Sequence, residues 1–251
     1  MFRGAGLMWR AVLCAARFLT RLPLPDPGPP DGPVLGRSAL FYPMVGLCIG
    51  TLVWGLCAGV GLLAQGAAAG PLAAVVLIAW VWLTGGLHLD GLADSADAWV
   101  GGLGNRARTL EILRDPRIGV MGALALGLAL IAKWAGLAAL IEGLGAAVLI
   151  WLSALSRGQL LLLMLTTPYA RSQGLGGDVV ARLPRGPAWA VLALVAGGTV
   201  LALGLVALAV AGLTFLLWRR AMLQRLGGFT GDTAGALVEL TEAAVLLALA
   251  L

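Results

Sequence analysis

Long apolar stretches recur along this chain, and they limit what it can fold into more than any other feature. They cover residues 39–63, 71–87, 118–141, 144–166, 187–218 and 233–251. A hydrocarbon core of ~30 Å needs about 20 residues of helix. Backbone polar groups find no partners in lipid, so only helices and closed barrels cross it. A barrel would need alternating strands of about ten residues, and this pattern is absent. The composition agrees, at 60% hydrophobic, 12% charged and a mean hydropathy of +0.96, against roughly 45–50% and 25% in soluble domains. The expected fold is all-α: a polytopic transmembrane helix bundle within one integral membrane domain, 1–251.

The 32 residues of 187–218 would make a helix of about 48 Å, too long for one upright crossing. Two helices turning near Gly197-Gly198 or Gly204 fit better. One crossing would put Arg219, Arg220, Arg225 and Asp232 on the side opposite the polar segment 88–117. Two crossings keep all of them together, as the excess of positive charge on cytoplasmic loops prefers. About seven spans result, with a periplasmic C-terminus.

Ahead of the first span, residues 1–22 read as an interfacial helix. Arg3, Arg10, Arg17 and Arg21 share one face, leaving Met8, Val12, Leu13 and Leu19 for the lipid side. Six prolines between Pro23 and Pro33 then force an exposed loop. The net charge of +5 sits in short loops beside apolar runs, including Arg37, rather than in a basic stripe with interleaved aromatics. Nucleic acid is therefore not an expected partner, and the lipid bilayer is. Cys14, Cys48 and Cys57 lack ligand spacing and read as small core residues. With His88 the only histidine, a zinc site is not expected.

Chemistry concentrates in 88–117, read as a cytoplasmic acidic and basic catalytic loop, which holds five of the twelve acidic residues. Asp90, Asp94 and Asp97 fall at i, i+4 and i+7, one face of a helix. Stacked carboxylates at a span end repel one another and need a cation to stay ionised. Hard oxygen ligands suit magnesium or manganese. Asp232, in Gly227-Gly228-Phe229-Thr230-Gly231-Asp232-Thr233, is either the cap of the last helix or a fourth ligand or base on the same side. Arg108, Arg114 and Arg117 place guanidinium groups suited to phosphate nearby. Arg157, inside a span, either joins them or pairs with Glu142 or Glu239, and Lys133 is a second intramembrane cation. Metal-held carboxylates with arginines at a membrane surface point to phosphoryl transfer.

Several motifs now carry a resemblance: F-x-T-R-L-P (Phe18 to Pro23), F-Y-P-x-V-G (Phe41 to Gly46) and H-L-D-G-L-A-D-x-x-D (His88 to Asp97). They continue with L-E-I-x-R-D-x-R-x-G (Leu110 to Gly119), S-R-G (Ser156 to Gly158) and G-G-F-T-G-D-T-x-G-A (Gly227 to Ala236). Together they resemble the adenosylcobinamide-GDP ribazoletransferases, the cobalamin synthases of the bacterial corrinoid pathway, over nearly the whole chain. Ala98 departs from the pattern, where many members of the family have glycine.

The resemblance implies transfer of the cobinamide phosphoryl group of adenosylcobinamide-GDP to α-ribazole or α-ribazole 5′-phosphate, with release of GMP, at the inner membrane. It implies Mg²⁺ as cofactor. Asp90, Asp94, Asp97 and Asp232 would be its ligands, with Asp232 also the proton acceptor and Arg108, Arg114, Arg117 or Arg157 neutralising the leaving group. Two other readings stand beside it. A lipid headgroup synthase of the CDP-alcohol phosphotransferase type lacks its Ala-Arg after Asp90-Gly91. A corrinoid or cation transporter would place its acids nearer the midplane. Small-residue spacings such as Gly55-x-x-x-Gly59 and Gly122-x-x-x-x-Gly127 permit close packing within the chain or in a homo-oligomer.

Overall fold

The computed structural model describes residues 2–63, 66–142, 147–171 and 175–251. The turn expected between the third and fourth spans, Gly143 and Leu144 included, lies outside them, and so does the side chain of Arg3. Helix α1 (Phe2–Leu19) precedes the proline-rich loop, and α2 (Gly32–Ser38) leads through a 3-10 turn (Ala39–Phe41) into α3 (Tyr42–Leu63). Then follow α4 (Ala69–Thr84), α5 (Leu87–Gly101), α6 (Arg106–Ile112), α7 (Val120–Glu142), α8 (Val148–Thr166), α9 (Leu175–Arg182), α10 (Arg185–Leu226) and α11 (Gly231–Ala250).

Helix α8 is the central member, with 78% of its apolar stretch buried against 17% for α10. Large apolar side chains on the other helices point outward, among them Ile78, Leu128 and Leu201 at 69%, 68% and 90% exposure. An apolar exterior of this extent requires a lipid environment, and the chain is a multi-pass membrane protein.

Helix α10 settles the question of the over-long stretch. Its 42 residues are interrupted by Gly204, at φ 82 and ψ 173, a backbone conformation open essentially to glycine alone. Near its start, Arg185 donates to the carbonyl of Leu165 at 2.8 Å, and near its end Arg219 donates to that of Thr166 at 2.7 Å. Between them, Val195 packs on Gly158 while Ala211 accepts from Gln159. The two halves therefore fold back along α8, and both ends of α10 lie at one end of the bundle. Five helices are long and apolar enough to cross a membrane, or six with the bent pair α4–α5 counted as one span. Taking the halves of α10 separately brings the passes to seven, as expected.

The region 88–117 is not a loop. Consecutive glycines Gly85 and Gly86 adopt left-handed φ of 66° and 69°, ending α4 and turning the chain by 89° into α5. This lays α5 across the end of the bundle. Its helix continues through Ala98, which is fully buried beside Leu113 and Leu226, so the departure from glycine there requires no turn.

Helix α1 also differs from expectation. Leu13 and Leu19, assigned to the lipid side, are buried at 5% and 1% exposure, while Met8, Trp9 and Phe18 are exposed. The helix packs on α2 and α3, which offer Leu19 a core partner that the isolated amphipathic pattern cannot reveal. Of the cysteines, Cys57 is buried, Cys14 is half-buried and Cys48 is exposed, so only the first is a core residue. A Cβ on Gly55 or Gly59 would meet no other helix within 4 Å, whereas Gly122 packs against Asp97 and Ala93.

Candidate active site

The site is built where α5 crosses the start of α11. A Cβ on Gly91 would fall 2.5 Å from the carbonyl oxygen of Asp232, and one on Gly235 would fall 3.2 Å from the Cα of His88. Two small residues thus let the backbones approach closely, carrying Asp90 and Asp94 towards Asp232.

Each residue before Asp232 has a local task. Gly227 ends α10 in the left-handed region at φ 69, the usual helix stop. Gly228 lies against the carbonyl of Pro168, and Phe229 is buried against Tyr169 with ring centroids 5.3 Å apart. Thr230, not Asp232, caps α11: its hydroxyl accepts from Thr233 N at 3.3 Å, while the Thr233 hydroxyl accepts from Thr230 N at 2.9 Å. The hydroxyl-based cap releases the Asp232 carboxylate, two residues further on, for another role.

That role includes an ion pair missed at the sequence level. Arg171 Nη2 donates to Asp232 Oδ2 at 2.6 Å and to the Leu113 carbonyl at 3.2 Å. Its Nε is buried without a partner among the described residues. Asp94 shows the strain of the cluster most directly. Burial, and then the charges of Asp90, Asp232 and Asp97, push its carboxyl up to about 6, with Arg171 opposing.

Asp97 is engaged differently from its neighbours. Its two carboxylate oxygens accept from Gly119 N at 2.7 Å and Gly122 N at 2.8 Å, backbone groups at the start of α7 that lack helical partners. Either glycine, given a Cβ, would collide with this carboxylate. Asp97 therefore ties α5 to α7 as well as belonging to the acidic face.

The expected phosphate-binding arginines are dispersed. Arg108 pairs with Glu111 at 3.0 Å and Arg117 with Asp115 at 2.7 Å, on exposed surface, and hydrogen bonds from Arg117 hold the Asp115 carboxyl down to about 2. Arg114 is exposed.

Arg157 pairs with an acid inside the membrane, though not with either one named from the sequence. It is fully buried and pairs with Glu242, not with Glu142 or Glu239. Lys133 bonds Glu239 at 2.9 Å and Glu242 at 2.6 Å and sits 4.3 Å from the Trp80 ring centroid. This buried group of two cations and two carboxylates joins α7, α8 and α11 and meets the need of intramembrane charges for partners. Both cations are thus engaged by carboxylates of α11.

Other arginines close helix ends: Arg106 donates to the Leu226 carbonyl at 2.8 Å and Arg225 to that of Trp99 at 3.0 Å.

Beside Asp90 and Asp94 lies a pocket of about 390 Å³, lined also by Arg21, Gly86, Pro116 and Ile118. Among the described residues, no three carboxylate, imidazole or thiolate groups close on one point tightly enough to form a preformed metal cage.

Comparison with known proteins decides the family. The family described as Cobalamin-5-phosphate synthase matches residues 11–250. The chain belongs to this family. A protein of Stutzerimonas stutzeri (strain A1501) named adenosylcobinamide-GDP ribazoletransferase is 53% identical over 242 residues, covering 96% of this chain and 97% of its own. Proteins of the same name from Pseudomonas syringae pv. syringae (strain B728a) and Pseudomonas fluorescens (strain SBW25) are 50% and 49% identical, each over 240 residues and 94% of this chain. The shares of those two relatives covered are 97% and 98%. No solved structure matches. The resemblance drawn from the motifs therefore holds. In this cobalamin-5-phosphate synthase family member the motif ending at Gly119 meets the one ending at Asp97 through a backbone-to-carboxylate contact, and Gly227 to Ala236 form the turn that presents Asp232.

Proposed function

We propose that this chain transfers the cobinamide phosphoryl group of adenosylcobinamide-GDP to α-ribazole or α-ribazole 5′-phosphate, releasing GMP in a late step of cobalamin biosynthesis. The relatives' names supply the substrates. The observation that carries the chemistry is the convergence of Asp90, Asp94 and Asp232 across one helix crossing, next to a pocket. Neither the family nor the relatives support the headgroup-synthase or transporter readings.

Magnesium fits these residues. The donor set is hard oxygen, and burial together with the neighbouring carboxylates already raises Asp94, a penalty that a cation would relieve. Mg²⁺ commonly uses one or two carboxylates together with water and substrate phosphates, so a closed protein cage is not required. One or two of Asp90, Asp94 and Asp232 would hold it together with water and substrate phosphate, with Asp97 bracing α5 from α7. When bound, it would neutralise the diphosphate oxygens as the bond to GMP breaks.

The chain's own residues do the rest. Arg171 fixes the direction of Asp232 through their ion pair. The acceptor hydroxyl attacks phosphorus, its oxygen forming the new bond while the oxygen bridging to GMP departs with the electron pair. Its proton passes to a carboxylate of the cluster. The basic loops that gather at this end of the bundle support a cytoplasmic site in the inner membrane.

Purified protein in detergent, given adenosylcobinamide-GDP or CDP-diacylglycerol with α-ribazole, tests the substrate assignment. GMP formation from the first and no CMP from the second is expected. CMP release alone, or corrinoid uptake by proteoliposomes without GMP, would overturn it.

A further inference from the structure

The pocket beside Asp90 and Asp94 has, among the described residues, one cation in its lining, Arg21. On sequence grounds Arg21 belongs to the basic face of a surface helix, where it would serve orientation. The structure places it differently. Its backbone N–H donates to the Leu83 carbonyl at 2.8 Å, tying the chain that leaves α1 to the last turn of α4. Leu19 and Thr20, immediately before it, are buried at 1% and 5% exposure.

The side chain then passes over the hinge between α4 and α5. A Cβ on Gly85 would fall 2.2 Å from Arg21 Nε, so the glycine makes room for the guanidinium as well as for the turn. No ion pair among the described residues uses it, although Arg10, Arg108, Arg117, Arg157 and Arg171 each face a carboxylate.

An unpaired guanidinium held across a small pocket from a carboxylate pair suits a ligand that is anionic where it meets the arginine and can share a cation with the carboxylates. Phosphate has both properties, and arginine binds it with paired N–H donors. A pocket of about 390 Å³ takes a nucleotide-sized group but not a corrin ring.

We propose that Arg21 binds a substrate phosphate in this pocket and is a specificity-determining residue of the transferase. This rests on the reaction assigned above. The phosphate has two sources, the 5′-phosphate of the acceptor and the diphosphate of the donor.

Steady-state kinetics of the wild type, Arg21→Ala and Arg21→Lys with α-ribazole and α-ribazole 5′-phosphate distinguish them. If Arg21 reads the acceptor, Arg21→Ala lowers the preference for phosphorylated over unphosphorylated acceptor by about 10- to 100-fold, and lysine recovers part of it. If it reads the donor, the KM for adenosylcobinamide-GDP rises by a similar factor with both acceptors. Equal falls in kcat with every KM and the acceptor preference unchanged would overturn the proposal, as would no change.

A binding arm stands apart from turnover. In EDTA, inorganic pyrophosphate should raise the Tm of the wild type and of Asp90→Asn, but not of Arg21→Ala. A pyrophosphate shift that survives in Arg21→Ala, or is absent from the wild type, contradicts the role of Arg21. An intact shift in a wild type that releases no GMP would instead count against the assigned reaction.

Discussion

Arg171 Nη2 lies 2.6 Å from Asp232 Oδ2, so a residue from the loop after α8 orients a carboxylate at the start of α11, 61 positions away. Removing the guanidinium leaves a partly buried carboxylate unpaired. Arg171→Met is expected to destabilise the fold by about 1–3 kcal/mol and to lower kcat. Arg171→Met with Asp232→Asn should recover much of the stability and none of the activity. Thermal unfolding in detergent alongside GMP release checks this, and equal stability of the single and double variants would count against the pairing.

Close contact between α5 and α11 predicts a graded pair of substitutions. Gly91→Ala forces a methyl to within 2.5 Å of the Asp232 carbonyl, whereas the nearest atom to a methyl at position 235 is at 3.2 Å. Gly91→Ala should therefore separate the helices and cut turnover at least tenfold, and Gly235→Ala should act more mildly. The reverse order, measured on folded protein, would contradict the crossing.

In the buried group, Lys133 contacts two carboxylates and Glu242 contacts two cations. Glu242→Gln leaves both cations short of negative charge, and a loss of about 3–5 kcal/mol is expected. Lys133→Met and Glu239→Gln should each destabilise, and their combination should cost less than the sum, which a double-mutant cycle measures. Strict additivity would show that the contacts are not coupled.

Without metal, the folded protein holds the Asp94 carboxyl at about 6, above its ordinary value of 3.8. A raised carboxyl binds its proton more tightly in the folded state, so stability rises as pH falls from about 6 toward 4. Asp94→Asn should remove this dependence and, in EDTA at pH 7.5, unfold at a higher temperature than the wild type while losing activity. A lower Tm for the variant under those conditions would contradict the repulsion.

Much of this arrangement is visible in the amino-acid order because the forces behind it are local. Apolar runs specify the passes, and the length of 187–218 demands a turn that Gly204 supplies. The i, i+4, i+7 spacing of Asp90, Asp94 and Asp97 survives in α5. What escaped depends on partners distant in sequence. Arg171 stands in a polar loop with no spacing to mark it, and its value comes from Asp232 and Leu113. For Arg157 the two alternatives stay open in the sequence, because Glu242, 85 positions away, cannot be paired with it there. The second use of Asp97 depends on where α7 begins.

The central claim is that the aspartates around the α5–α11 crossing hold the cation required for phosphoryl transfer. GMP release by purified protein from adenosylcobinamide-GDP and α-ribazole, followed during Mg²⁺ titration for the wild type, Asp90→Asn and Asp94→Asn, tests it most directly. The account predicts no release by the wild type in EDTA, saturable activation by Mg²⁺, and a loss of at least about 100-fold in both folded variants. Wild-type rates in EDTA, or in either variant at saturating Mg²⁺, would contradict it.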